Sequence, residues 1–257
     1  MIADQLSQTI AKLPLWPYLA GAAAITLVGG FLRGFVGFGG ALAIIPVLAL
    51  IFTPTIGVAT HLIMEIPGML QLMPIAYRQC SRQTVVPALL AVLVGTPFGV
   101  YVLTTLDPKP MRIAISIFVL AMVVMLARNW RPKGTMGTKA MAKVGFIGGV
   151  VQGGAGIGGP PIVAVLMSRG DDNDTTRGNI LAMMGSLVII AIPLQWYFGV
   201  LTVQSVFLGA CAAPFYMAAT YLGARFYSLG GQRIYRQVAI WLLGTVAVAS
   251  LASSILK

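Results

Sequence analysis

The sequence predicts an all-α polytopic membrane protein: a duplicated helical bundle with two glycine-rich broken-helix segments, arranged as inverted repeats. Three observations carry that prediction. The first is composition. Of 257 residues, 58% are hydrophobic and 9% charged, with a mean hydropathy of +0.91, whereas a soluble domain carries about a quarter charged residues. The second is that apolar stretches of bilayer-spanning length recur from end to end. The third is an unusual glycine pattern that occurs twice.

Taken in chain order, the apolar stretches lie near Tyr18 to Ile51, Gly57 to Tyr77, Thr84 to Thr105 and Met111 to Ala127. In the second half they lie near Val144 to Ser168, Gly178 to Phe198, Val200 to Tyr221 and Val238 to Ile255. Roughly 20 apolar residues cross the hydrocarbon layer as a helix, and unpaired backbone cannot face lipid, so helices are expected. A transmembrane barrel would show short alternating segments instead. The first stretch starts too late, and lacks the short h-region and cleavage pattern, for a signal peptide. Trp196, Trp241, Tyr77, Tyr197 and Tyr221 sit near stretch ends, as interfacial anchors do. The expected setting is a plasma membrane, of the bacterial inner-membrane kind.

The glycine pattern reads GGFLRGFVGFGG from Gly29 to Gly40 and GGVVQGGAGIGG from Gly148 to Gly159. At an offset of 119 residues six glycines superpose: 29/148, 30/149, 34/153, 37/156, 39/158 and 40/159. Each glycine weakens a continuous helix by up to about 1 kcal/mol relative to alanine. Paired interruptions in a membrane protein point to a binding site at a repeat interface. The organisation that follows is a first transmembrane repeat over 1–127, a basic cytoplasmic linker over 128–143 and a second repeat over 144–257.

Charge decides between two topologies. If all eight stretches cross once, Lys and Arg divide 9 against 7 between the sides. If each glycine segment folds as a helix-break-helix hairpin that enters and leaves on one side, the division becomes 12 against 4, with Arg33 inside the membrane. The positive-inside rule favours the hairpins. Each repeat then has a hairpin and three crossings, an odd number, so the repeats are inverted. Tyr18 to Ile51 is also long enough for one full helix and a half-helix.

Where a helix restarts after a break, its free N–H groups and positive dipole end can hold an anion. Pro160 and Pro161 mark such a restart in the second segment. Arg33 lies inside the first segment, and an intramembrane arginine faces a cavity or a partner; its counterpart is Gln152. The expected substrate-binding set is therefore Arg33, Gly34, Gly37, Gly39, Gly40, Gln152, Gly153, Gly156, Gly158 and Gly159, with Asn179, which aligns with Thr60, as a further donor. Tight helix packing is the alternative role for the glycines. His61 and Glu65, four apart on one helix face, are candidates to carry a coupled proton; the alternative for Glu65 is a structural pair with Arg33.

Other chemistries find little support. Basic residues lie in short loops without aromatic interleaving, so nucleic acid is not an expected partner. Cys80 and Cys211 form no CxxC, and RGDDNDTTR lacks the spaced glutamate of a calcium loop. No metal, cofactor or enzymatic activity is expected. The expected partners are a small anionic substrate and the lipid bilayer, with the oligomeric state open.

The segments GFVGFGGALAIIPVLALI (Gly34 to Ile51) and FIGGVVQGGAGIGGPPIVAVLM (Phe146 to Met167) resemble the TauE/SafE family of sulfite exporters, and the spacing of stretches extends the resemblance over essentially the whole chain. The resemblance implies a multi-span permease for sulfite, sulfoacetate or related organosulfur or carboxylate anions. Where the family commonly carries a Thr-Ser pair, this chain has Thr60-His61. The resulting expectation is a secondary transporter of a small anion, with an anion channel or a membrane-embedded enzyme or assembly factor as the alternatives.

Overall fold

The computed structural model describes residues 16–36, 39–128 and 137–228, with short pieces between 241 and 253. Gly37, half of the 128–143 linker and half of the last apolar stretch lie outside the described residues. The described chain is helical: α1 (Trp16–Val36), α2 (Gly40–Ile51), α3 (Pro54–Gln79), α4 (Arg82–Thr105), α5 (Pro108–Ala127), α6 (Thr138–Ala155), α7 (Gly159–Leu166), α8 (Asn173–Tyr197) and α9 (Val203–Ser228).

Five of these, α1, α4, α5, α8 and α9, are long and apolar enough to cross a membrane. At 26 residues α3 has the length, but it carries His61, Glu65 and two internal prolines and is not among the five. Outward faces are apolar too. On α4, Leu90, Leu93, Val94, Phe98 and Tyr101 are all exposed while Ala88, Val92, Thr96 and Val100 are buried. A helix apolar on every side belongs in a membrane. The chain is a polytopic, membrane-spanning helical bundle.

Two compact units form. One comprises 1–64, 106–127 and 199–257; the other comprises 65–105 and 128–198. They cut across the boundary between the sequence halves because glycine faces pair helices from different halves. In the first unit α1 and α9 run parallel, with Gly30 against Tyr216, Gly34 against Thr220 and Gly223 against Phe31. A Cβ on Gly30 would lie 2.6 Å from the Tyr216 carbonyl oxygen, and one on Gly34 would run into that of Thr220. In the second unit α4 and α6 run parallel in the same manner. Gly145 faces Ala88, Gly149 faces Val92, Gly153 faces Thr96 and Gly99 faces Val150. Without a hydrophobic drive inside lipid, this backbone-to-backbone closeness is how helices associate. Thr96 and Thr220 fit these seams by returning their hydroxyls to Val92 O at 2.7 Å and Tyr216 O at 2.8 Å.

Both glycine segments double back. Gly40 meets Arg33, Gly29 meets Ile44 and Gly21 meets Ile51, so α1 and α2 are antiparallel. Likewise Gly158 meets Gln152 and Gly148 meets Ile162 across α6 and α7. Both segments are thus helix-break-helix hairpins. The arms are unequal, 21 and 12 residues in the first hairpin, 18 and 8 in the second, so each also pairs a long helix with a short one.

Candidate functional site

The described glycines of the two segments serve helix packing and the breaks themselves. Gly30, Gly34, Gly149 and Gly153 serve the helix seams described above. At the break itself, Gly39 has φ 99° and Gly156 has φ 68°, conformations that cost a residue with a Cβ about 1–2 kcal/mol. Gly40 and Gly159 open the short helices, and Gly158 is the N-cap of α7. Packing, the alternative considered for these glycines, therefore accounts for Gly34 and Gly153, while the break requires Gly39, Gly156 and Gly158.

In the first hairpin the crook gathers polar groups. Gly39, the N-cap of α2, brings no side chain to its first turn. Arg33, partly exposed in the last turn of α1, has its Cβ 3.3 Å from where a Gly40 Cβ would be. The Tyr216 hydroxyl lies 2.9 Å from that same point. Tyr216 is buried, with its ring alongside Gly30 and its hydroxyl at Gly40; the two glycines make the slot that holds it. The buried ring of His61 on α3 meets Tyr216 edge-on, with centroids 6.0 Å apart. Below them Ile44, Leu48, Met64 and Tyr216 form a buried cluster.

The other end of α2 is held by a residue that the sequence reading counted only as a loop charge. Arg112, on α5, donates from Nε to Ala49 O at 2.7 Å and from Nη2 to Phe52 O at 3.1 Å. A cation at a helix C-terminus meets the negative end of its dipole. Thr53 then starts α3, its Oγ1 accepting Ile56 N–H at 3.2 Å.

The second hairpin is built differently. Gln152, buried at the position matching Arg33, accepts Gly158 N–H on Oε1 at 3.0 Å, and its carbonyl accepts Gly156 N–H at 2.9 Å. Residues 152–160 are all buried. Pro160 opens α7 in its first turn, as the sequence suggests. Met184 Sδ stands 2.8 Å from where a Gly159 Cβ would be, the place that the Tyr216 hydroxyl takes against Gly40.

The remaining candidates lie on α3 and α8. Asn179 is fully buried on α8, its Oδ1 accepting Ser81 N–H at 2.7 Å. Glu65 is half-buried one turn beyond His61 on α3. Asp172, which the sequence placed in a solvated loop, is the N-cap of α8 and accepts Thr175 N–H at 3.0 Å. That backbone hydrogen bond is the largest of the causes holding its carboxyl below the ordinary 3.8. Among the described residues no group of three or more His, Cys, Asp or Glu could hold a metal ion.

The described chain is thus a membrane-spanning helical bundle with two glycine-broken hairpins, one of which has an arginine beside the N-terminus of its short helix. The model of the family described as "Sulfite exporter TauE/SafE" matches residues 22–250, and the chain belongs to that family. It is a membrane transporter of the small-anion class. No curated protein and no solved structure matches it.

Proposed function

We propose that this chain is a secondary transporter, a permease that moves sulfite or a related organosulfonate or carboxylate anion across the plasma membrane by alternating access. The observation that carries the reading is the crook of the first hairpin. There Arg33 and the Tyr216 hydroxyl both come to Gly40, at the N-terminus of a 12-residue helix whose first turn has no side-chain cap.

The physics is additive. The dipole and open N–H groups of α2 favour negative charge, and the guanidinium offers a fork of donors suited to an oxyanion. Arg112 neutralises the opposite end of α2 and holds it in place. The second hairpin contributes a scaffold that shares the glycine register.

The two segments are read as repeats, and as inverted ones. The 119-residue glycine offset supports the first point, as do the like contacts of Gly30 and Gly34 with Tyr216 and Thr220, and of Gly149 and Gly153 with Val92 and Thr96. The charge count of 12 against 4 supports the second. Inverted repeats with interrupted helices are a recurring plan for alternating access. His61, in edge contact with Tyr216, and Glu65 one turn on are the groups proposed to carry a coupled proton.

Purified protein in liposomes tests this directly. Saturable uptake of labelled sulfite, accelerated by unlabelled sulfite on the far side, is the expected result. Flux that never saturates and shows no counterflow would replace the carrier with a channel. Glu65→Gln should flatten the pH dependence of uptake; an unchanged profile assigns Glu65 to structure.

A further inference from the structure

The corner where α3 gives way to α4 contains two buried polar atoms with no hydrogen-bond partner. Asn179 Nδ2 is a donor without an acceptor, and Gln79 Oε1 is an acceptor without a donor. They belong to adjoining pieces of one unit. A Cβ on Gly178 would sit 2.5 Å from the Gln79 carbonyl carbon and 2.6 Å from its Cβ, so the second turn of α8 lies directly on the last residue of α3. Ser81, two residues on, donates its N–H to Asn179 Oδ1 at 2.7 Å. Buried Thr84 adds a hydroxyl 3.3 Å from that of Ser81.

Leaving either atom unsatisfied costs about 1–3 kcal/mol, and buried polar groups in native proteins are almost always paired with protein or ordered water. The chemistry of the two atoms selects what could bridge them. The Ser81 bond fixes the Asn179 carboxamide, so an N–H must point at the site. A bare cation would meet that donor, and a bare anion would meet the Gln79 oxygen. A small neutral molecule that both accepts and donates satisfies the two at once. A water needs only a pocket of its own size and two to four polar partners.

We propose that the α3–α4–α8 corner holds one structural water, accepting from Asn179 Nδ2 and donating to Gln79 Oε1. The water locks the turn between Arg78 and Arg82, two of the charges that set topology, onto the start of α8. Asn179 then serves this corner, not the anion. The inference is independent of the transport reading.

A crystal structure of the full chain grown in bromide, at a resolution that shows ordered water, tests it. The expected result is a peak within about 2.7–3.2 Å of both Asn179 Nδ2 and Gln79 Oε1, with no anomalous bromide signal. Empty density, a direct bond between the two side chains, or bromide in the site would each overturn it; the last would mean that Gln79 presents its amide nitrogen. In solution, Gln79→Met should lower the melting temperature by about 2–4 °C, the shift that 1 kcal/mol produces in a chain of this size. The double variant with Asn179→Leu should lose less than the two single losses combined, because bridged partners are coupled. Strict additivity would contradict the bridge.

Discussion

Arg33 and Gln152 occupy the same place in the two glycine segments, yet their surroundings are opposite. Gln152 turns its carboxamide oxygen onto Gly158 N–H at 3.0 Å, inside a run of wholly buried residues. Arg33 stays partly exposed, and its crook holds a tyrosine hydroxyl where the second holds a methionine thioether. The same glycine register therefore supports a closed, self-satisfied turn in one unit and a charged, hydroxyl-lined one in the other. This contrast concentrates the expected anion chemistry in the first hairpin and leaves the second a mainly architectural part.

The largest effects should come from the helix seam inside each unit. Gly34→Val and Gly153→Val would drive side chains into the Thr220 and Thr96 carbonyls. Overpacking costs about 1–3 kcal/mol where neighbours can yield, and here they are backbone. Neither variant should give a monodisperse, cooperatively melting protein. If one tolerates valine, the close approach is absent from that unit.

Next comes the helix end. Arg112→Ala removes two part-buried, charge-assisted bonds from Ala49 and Phe52, of a kind that contributes at most about 1.5–3 kcal/mol each. A lower melting temperature and weaker anion binding should appear together, since α2 carries the site. Loss of stability with binding untouched would separate α2's anchoring from its function.

Gln152→Ala sharpens the contrast. Freeing Gly158 N–H should lower stability by about 1–3 kcal/mol while anion affinity stays within about twofold. If Gln152→Ala keeps its fold and loses the anion, the second hairpin is a binding element too and the asymmetry fails.

The smallest effect belongs to Asp172. Its folded carboxyl is held below 3.8, chiefly by Thr175 N–H. Its stabilisation of α8 is therefore complete above that value and fades as pH falls through the lower folded one. Asp172→Asn should keep the cap and lose part of the acid sensitivity between those limits; an identical acid-melting curve would remove Asp172 from it.

Much of this was legible in the chain itself. Composition marked the membrane class. The paired glycines located both breaks, and the arginine inside the first glycine segment marked its polar crook. Tyr216 was not legible, because nothing local distinguishes it from other aromatics in apolar helices. It reaches Gly40 only through the parallel seam of α1 and α9, a contact made across 176 residues of sequence. Arg112 looked like a loop charge, since the carbonyls it holds belong to a helix end some 60 residues earlier. Asn179 aligned with Thr60 and suggested a shared role, yet its amide oxygen faces the Ser81 backbone. Sequence periodicity reports which faces are apolar; it does not report which helix supplies the opposite wall.

Anion-dependent thermal stabilisation, measured on the purified chain and on Arg33→Ala side by side, tests the central claim most directly. A ligand that binds only the folded state raises the melting temperature with its concentration. The parent protein should be stabilised by sulfite, sulfoacetate or a small carboxylate. Arg33→Ala should show no anion-dependent shift from its own ligand-free melting temperature, with the shift of Arg33→Lys between the two. An equal, concentration-dependent shift in Arg33→Ala and the parent would contradict the account and remove the first hairpin's crook as the anion site.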